Sequence, residues 1–321
     1  MHLKYYIVLP DRMAKKSSLQ IKVEYVAVRA LLVTLGVMPR RMSLALCFVF
    51  LRTAFHLIGG LRKVGMRNLE IAFPEKSLSE RREILKGAFD NLGRVLGELS
   101  QFHKSTPENL AQIIDLTLDE TAQALYDRHL SERRGVMLVT GHFGNWEMLV
   151  MAFAANYEPI SYLARPLDNL MIDQMTYDIR SRYGNMPINK NNSAMVAIKI
   201  LNEGGGLGIL ADVNVHPKEG VFVPFFGVPA CTSIGPAMIA SRSNALILPT
   251  FCIWDKNRKM YRIVHGKLIQ PSNTGDRQHD MLELTREITN EIEKVIRAYP
   301  DQWFWIHKRW KTRPPGEPSI Y

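Results

Sequence analysis

The amino-acid sequence predicts an α/β protein: a mixed, mostly parallel sheet flanked by helices, with a helical membrane-associating extension at the N-terminus. Two observations support this fold class. From residue 135 onward, short apolar runs alternate with helical patterns, which is the order found in parallel sheets. Before residue 66, two long apolar stretches flanked by basic residues favour helices at a membrane surface. We therefore divide the 321 residues into an N-terminal segment, 1–65, and an α/β domain, 66–321.

Strands are predicted from short apolar runs, and helices from apolar residues at helical spacing. The run VMLVT at residues 136–140 is typical of a buried parallel strand. Strands are expected at 136–140, 160–164, 207–211, 245–253 and 259–265, with the last one antiparallel across a short turn. Helices are expected at 78–103, 117–130, 146–155, 169–183, 194–203, 233–242 and 276–298. Proline and glycine punctuate residues 212–230, which we expect to form a loop.

The two apolar stretches near the N-terminus predict contact with a membrane. Residues 25–38 are short for a spanning helix, and residues 43–60 contain Arg52 and His56. Because a charge at the bilayer centre is costly, an amphipathic or monotopic anchor is favoured. The flanking basic residues suit anionic lipid headgroups: Arg12, Lys15, Lys16, Arg40, Arg41, Arg62 and Lys63. The alternative is a helical hairpin buried against the rest of the protein.

Composition restricts the kind of partner. The net charge of +10 implies an acidic one: nucleic acid, an anionic membrane surface or an acidic carrier protein. Three cysteines in apolar surroundings, with no C-x-x-C pair, argue against a disulfide framework and a zinc site of that kind. The stretch WFWIHKRWKTR at 303–313 mixes tryptophans with basic residues, which suits the membrane–water boundary or nucleic-acid bases. No nucleic-acid-binding module is recognisable, so we expect a membrane surface and no nucleic acid.

The heptapeptide GHFGNWE at residues 141–147 is the strongest candidate for a catalytic site. It follows a predicted buried strand, and the carboxyl edge of a parallel sheet is where α/β proteins usually place their sites. Five helical positions turn through about 500°, so His142 and Glu147 meet only if His142 lies in the loop before the helix. Gly144 supplies a flexible joint there, and Asn145 an N-cap. A carboxylate on one imidazole nitrogen would make the other nitrogen a general base.

Two other interpretations of the pair stay open. A histidine near a carboxylate also occurs as a capping interaction or as half of a metal site. The spacing H-x-x-x-x-E differs from H-E-x-x-H and gives no third ligand, so we expect no metal. The sequence has no G-x-S-x-G elbow, and neither Cys231 nor Cys252 has a histidine nearby in sequence. A covalent nucleophile and a cofactor are therefore not indicated.

Further stretches accompany GHFGNWE in a recognisable order: ARPLDN at 164–169 and VFVPFFGVPACTSIGPA at 221–237. NLEIAFPE at 68–75, FDNLGRVLGEL at 89–99 and YPDQWFWIHKRWKTRP at 299–314 support them. Together they resemble the late-step lipid A biosynthesis acyltransferases of the lauroyl and myristoyl type. These belong to the glycerolipid and lysophospholipid acyltransferase superfamily, which has an H-x-x-x-x-D/E motif. The resemblance covers most of the chain and implies a fold like that of glycerol-3-phosphate acyltransferase.

The resemblance also implies roles for matched residues. His142 is the general base, Glu147 its acidic partner, Arg165 a substrate-positioning residue and Asp212 the strand-end acid. The residues that we expect to bind substrate are Gly144, Asn145, Arg165, Asn169, Asp212, Phe225, Phe226 and Gly227. From the residues alone, Arg165 suits either a phosphate or an ordinary surface position. Likewise Phe222, Phe225 and Phe226 suit either an acyl-chain groove or the core.

The activity that the resemblance implies is transfer of a fatty acyl chain from an acyl carrier protein thioester. The acceptor is a hydroxyl of a lipid A precursor, a phosphorylated glucosamine glycolipid, at the cytoplasmic face of a bacterial inner membrane. Backbone N–H groups near Gly144 and the following helix are candidates for holding the oxyanion. One alternative is an acyltransferase of the same superfamily acting on another glycolipid or lysophospholipid. Another is an inactive membrane-binding or scaffold protein with the same fold.

Overall fold

The structure is a computed structural model that describes residues 17–164, 167–189 and 193–321. Its helices in these ranges are α1 (Ser18–Val37), α2 (Arg40–Leu57), α3 (Gly59–Ala72), α4 (Leu78–Gln101), α5 (Pro107–Ala111), α6 (Glu120–Glu132), α7 (Trp146–Asn156), α8 (Leu170–Arg180), α9 (Ser193–Asn202), α10 (Gly235–Ser243) and α11 (Arg277–Ala298). Its strands are β1 (Ile114–Asp115), β2 (Val136–Thr140), β3 (Ser161–Ala164), β4 (Met186–Asn189), β5 (Gly206–Leu210), β6 (Gly220–Phe225), β7 (Val228–Ser233), β8 (Leu246–Asp255) and β9 (Met260–His265).

The central sheet has the strand order β1-β9-β8-β2-β5-β3-β4. Strands β8, β2, β5, β3 and β4 are parallel, whereas β9 is antiparallel to β8 and carries β1 parallel to itself. Helices flank the sheet, so the predicted mixed, mostly parallel α/β fold is confirmed. Strand β2 lies between β8 and β5, and its Met137 and Val139 are fully buried. This explains why β2 reads as a continuous apolar run.

Most predicted elements appear within a few residues of their expected bounds, but residues 212–230 do not form a loop throughout. Strands β6 and β7 pair there as an antiparallel hairpin. Phe226 (φ 52°) and Gly227 (φ 75°) form its two-residue turn, and two successive positive φ angles match the twist of a hairpin. The hairpin was missed because Pro224 and Pro229 interrupt its sequence. These prolines face each other across two strands, an edge setting that tolerates a missing N–H.

Helix α2 packs closely along α4. A Cβ added at Gly97 would lie 2.8 Å from Leu44 Cδ2, and the hydroxyls of Ser43 and Ser100 are 3.0 Å apart between the two helices. Helix α3 spans the boundary predicted at residues 65 and 66. The division of the chain at that point therefore stays a prediction.

The outer faces of α1 and α2 are apolar and exposed. In α1 only Leu35 and Gly36 are buried, so this helix is not part of a buried hairpin. The exposed large hydrophobic residues are Leu19, Val23, Val26, Leu31, Val33 and Val37 in α1, and Met42, Leu46, Val49, Phe50 and Leu57 in α2. Over the ranges that the structure describes, no single helix has the length and hydropathy of a membrane span; α2 and α3, joined at an 85° bend, reach both only as a pair.

Candidate active site

His142 and Asp212 occupy equivalent positions after two neighbouring parallel strands. Strands β2 and β5 pair with Thr140 opposite Leu210, and the Ala211 N–H donates to Thr140 O (2.9 Å). Residues two positions beyond each strand therefore face each other at the carboxyl edge of the sheet. Gly141 permits their approach, because a Cβ there would lie 2.9 Å from Asp212 Cγ.

Asp212 holds His142 through both carboxylate oxygens. His142 Nδ1 lies 2.9 Å from Asp212 Oδ1, and the His142 backbone N–H donates to Asp212 Oδ2 (2.7 Å). Because an ionised carboxylate only accepts hydrogen bonds, Nδ1 must carry the proton. In the neutral imidazole, Nε2 then holds the free lone pair. The imidazole is 28% exposed whereas the carboxylate is fully buried, so solutes reach the ring and not its partner.

Glu147 does not make the hydrogen bond to His142 that the sequence suggested. Its two carboxylate oxygens accept from Arg180 Nε (2.8 Å) and Nη2 (2.5 Å). Glu147 lies in the first turn of α7, next to the end of α8, which brings Arg180 to it. The partner of the imidazole is thus Asp212, whereas Glu147 and Arg180 form a bidentate ion pair close by.

The loop between His142 and α7 is fixed by its backbone. Gly144 adopts φ +57°, and a Cβ there would lie 1.9 Å from Cys252 O, so only glycine fits. Asn145 caps α7, as predicted, by accepting from the Met148 N–H (3.0 Å). The N–H groups of Gly144 and Asn145 donate to Gln302 O (2.9 Å) and Cys252 O (2.8 Å). Neither of these two N–H groups is therefore free to hold an oxyanion; the other candidates, at the start of α7, stay a prediction.

Burial and charge oppose each other at this pair. Burial is the largest effect on His142 and lowers its pKa, but the charge and hydrogen bond of Asp212, with the charge of Glu147, raise the pKa above 6.5 overall. Burial likewise raises the pKa of Asp212. The charge of His142, its hydrogen bond and that of Trp303 outweigh it and hold the pKa well below the ordinary 3.8. The carboxylate is therefore ionised, and the imidazole is more basic than usual.

The C-terminal tryptophans form part of the core, which corrects their predicted place at a membrane boundary. Trp303, Trp305 and Trp310 are at most 1% exposed, and so is Arg309. Trp303 and Trp305 pack edge to face with ring centroids 4.6 Å apart. The segment lies beside the site, where Trp303 forms a bridge with Phe143. Its tryptophan rings are covered by other parts of the protein and not by lipid.

Phe225 and Phe226 also lie in this core and not in a groove. They are 1% and 6% exposed, and the Phe225 ring is 5.5 Å from Trp303 and 5.6 Å from Trp310. The side-chain space around Gly227 is open, since a Cβ there would meet nothing within 4 Å. The apolar hairpin therefore packs against Trp303 and Trp310, next to the site.

Asn169 serves as a structural link. Its Oδ1 caps α8 at Met171 N (3.1 Å), and its Nδ2 donates to Ile21 O (2.8 Å) and Glu24 Oε2 (3.2 Å) of α1. The buried amide is thus occupied by the chain itself. Arg165 lies outside the described residues.

Sequence reasoning missed Arg180 and the pairing of Asp212 with His142. Nothing in the sequence marks Arg180 as the partner of Glu147. Asp212 was named, but its pairing with His142 was not; the available signal was that both residues closely follow predicted strands. Across the described residues, no group of three His, Cys, Asp or Glu side chains is placed to hold a metal ion.

An imidazole with an accessible lone pair, held by a buried carboxylate at a sheet edge, suits removal of a proton from a substrate hydroxyl. The sequence pattern of the family described as bacterial lipid A biosynthesis acyltransferase matches residues 12–312. The chain belongs to this family of O-acyltransferases.

Several named relatives are similar over most of their length. Lipid A biosynthesis lauroyltransferase of Escherichia coli K12 is 30% identical over 263 residues, 81% of this chain and 82% of the relative. Lipid A biosynthesis palmitoleoyltransferase of the same organism is 28% identical, covering 80% and 81%. A lipid A biosynthesis acyltransferase of Haemophilus influenzae is 26% identical over 315 residues, 94% and 97%.

Proposed function

We propose that this chain transfers a fatty acyl chain from an acyl carrier protein thioester to a hydroxyl of a lipid A precursor glycolipid. The observation that carries the proposal is the accessible His142 ring, oriented by the buried Asp212 in a member of this family. The net charge of +10 suits an acidic carrier protein and a phosphorylated lipid. Arg165, after β3, is proposed to grip a phosphate of the substrate.

In the proposed reaction, His142 Nε2 accepts the proton of the acceptor hydroxyl while that oxygen attacks the thioester carbonyl carbon. The carbon–oxygen bond forms, and the carbon–sulfur bond breaks when the tetrahedral intermediate collapses. The imidazolium then returns its proton to the departing thiolate. Asp212 stabilises the imidazolium throughout and keeps Nε2 pointing outward. No acyl-enzyme is formed on this route.

The raised pKa of His142 predicts the pH dependence of the reaction. Since the proposed base acts unprotonated, kcat/KM should fall about tenfold per unit of pH below an apparent pKa above the ordinary 6.5. Initial rates at acceptor concentrations well below KM, between about pH 5.5 and pH 9, measure this limb. A rate that stays constant down to pH 5.5 would show that no group with a raised pKa acts as the base.

Glu147 is proposed to act through charge rather than by touching the imidazole. With Glu147→Gln, Arg180 keeps its positive charge beside His142 without a counter-charge, which lowers the pKa of the imidazole. We expect the acid limb to move to lower pH, and the rate on the plateau above it to fall about 10-fold because a weaker base accepts the proton less readily.

The double variant Glu147→Gln, Arg180→Gln is the matched control for that change, because it removes both charges of the pair. Its acid limb should return toward that of the native enzyme. If both variants have the native pH profile, the charge of Glu147 has no role at the base.

The exposed apolar faces of α1 and α2 support a monotopic association with a membrane. Basic residues adjoin them, and Arg41 and Lys63 suit anionic headgroups. We propose that the enzyme works at the cytoplasmic face of a bacterial inner membrane. The link from Asn169 to α1 would hold the α/β domain against this surface.

Two alternatives remain to be separated from this function. An acyltransferase of the superfamily that uses another glycolipid or a lysophospholipid would share the His142 site and differ only in its acceptor. An inactive scaffold would keep the fold without transferring anything. Mass spectrometry of cellular lipids with and without the gene distinguishes the three. Glycolipid lighter by one acyl chain in the deletion strain supports the proposal, a change in phospholipid supports the first alternative, and unchanged lipids support the second.

A further inference from the structure

Asp212 Oδ2 accepts a hydrogen bond from a side chain that the proposed reaction has not yet used. Trp303 Nε1 donates to this oxygen at 2.8 Å, and the bond is buried. The same oxygen accepts the His142 backbone N–H, and Oδ1 faces the imidazole. The carboxylate therefore accepts three hydrogen bonds. Two come from His142, and Trp303 donates the third.

The backbone beside Trp303 holds His142 as well. Trp303 forms an antiparallel bridge with Phe143, and the Phe304 N–H donates to His142 O (3.0 Å). The Phe304 ring lies against the imidazole, with centroids 6.0 Å apart. One short segment thus fixes both the carboxylate and the main chain of the residue that the carboxylate orients.

We propose that Trp303 is a positioning residue for the His142 base, acting through its indole N–H on Asp212. This inference rests on the proposed function for its catalytic meaning. In water-excluded surroundings a hydrogen bond to a carboxylate both spreads its charge and fixes its direction. Without the indole donor, more of the negative charge of Asp212 acts on the imidazole. The carboxylate stays beside the ring through the His142 N–H, but its direction is less well fixed.

Several charged groups share this site and enter the expected titration. Asp212, Glu147 and Arg180 act on His142. His307 and Arg309, from the same C-terminal segment, also lie within electrostatic reach of Asp212. Burial lowers the pKa of His307, and its Nδ1 faces Phe304 O at 2.9 Å, so that nitrogen carries its proton. Trp303→Phe alters none of these charges, and a shift in the titration of His142 therefore reports the lost indole donor.

The test is Trp303→Phe in the full-length protein, followed by NMR of nitrogen-labelled histidine. We expect the His142 titration midpoint to move to higher pH, and kcat to fall between about 10-fold and 100-fold with little change in KM. Trp305→Phe is the matched control: Trp305 is equally buried in the same cluster, but its Nε1 donates to Pro300 O (2.7 Å) and not to Asp212. It should leave the His142 midpoint in place.

An unchanged midpoint in Trp303→Phe, or an equal shift in both variants, would overturn the proposal. If Trp303→Phe does not fold, the indole N–H resonance of Trp303 gives the answer in a protein that retains the ring. It should move in Asp212→Asn, and an unmoved resonance would show that the bond is absent. Both NMR readings are independent of acyl transfer. If the native protein transfers no acyl chain but the midpoint shifts in Trp303→Phe, the proposed function is refuted and the role of Trp303 in positioning His142 is still supported.

Discussion

His142→Ala is expected to lower the rate of acyl transfer by about three to six orders of magnitude while the protein stays folded. The change removes the proposed base and leaves Asp212 with two donors, the backbone N–H of residue 142 and Trp303 Nε1. The buried carboxylate is therefore not stranded without partners. Initial rates with acyl carrier protein thioester and glycolipid acceptor, compared at equal amounts of folded protein, measure the loss.

His279→Ala is the control for that substitution, because His279 is an exposed residue of α11 and makes no contact with the site. It should retain native activity. A His142→Ala variant that keeps more than about a tenth of the native rate would exclude general-base catalysis by this residue.

Gly144→Ala is expected to cause the largest loss of stability among single substitutions in the loop. The position combines φ +57° with a backbone oxygen, Cys252 O, 1.9 Å from the site of the new Cβ. Strained φ alone costs about 1–2 kcal/mol. Because a main-chain oxygen of β8 must also move, we expect the free energy of unfolding to fall by about 3–5 kcal/mol in chemical denaturation.

Gly227→Ala separates the two causes. Gly227 also has positive φ, 75°, but its Cβ would meet no atom within 4 Å. This variant should lose only about 1 kcal/mol. Equal losses in Gly144→Ala and Gly227→Ala would mean that the close approach to Cys252 contributes nothing.

The sheet was predictable because buried parallel strands have continuous apolar sequences, such as VMLVT at β2. The β6–β7 hairpin was not, since its prolines and glycines are typical of loops. The predicted membrane position of the C-terminal tryptophans was wrong for a different reason. A mixture of Trp and Lys or Arg describes a membrane boundary and a buried aromatic cluster equally well, and only packing decides. Here the guanidinium of Arg309 is buried, and it donates hydrogen bonds to Cys231 O and Thr232 Oγ1 that compensate for the loss of water.

The site shows the same division between local and distant information. His142, the joint at Gly144 and the cap at Asn145 lie within one heptapeptide, and their local geometry follows from it. The partner of the imidazole follows the end of a strand that is adjacent in space, and it lies 70 residues away in sequence. Nearness in sequence favoured Glu147, whereas strand register brings Asp212 to Nδ1. Arg180 and Trp303 arrive from still other elements, and no local pattern links them to the motif.

The most direct test of the pairing on which the proposed chemistry depends is an NMR titration of His142 in the native protein and in Asp212→Asn. With the carboxylate present, the midpoint should lie above 6.5; with the uncharged amide, burial dominates and the midpoint should fall. The same midpoint in both proteins would contradict the assignment of Asp212 as the group that orients and charges the base.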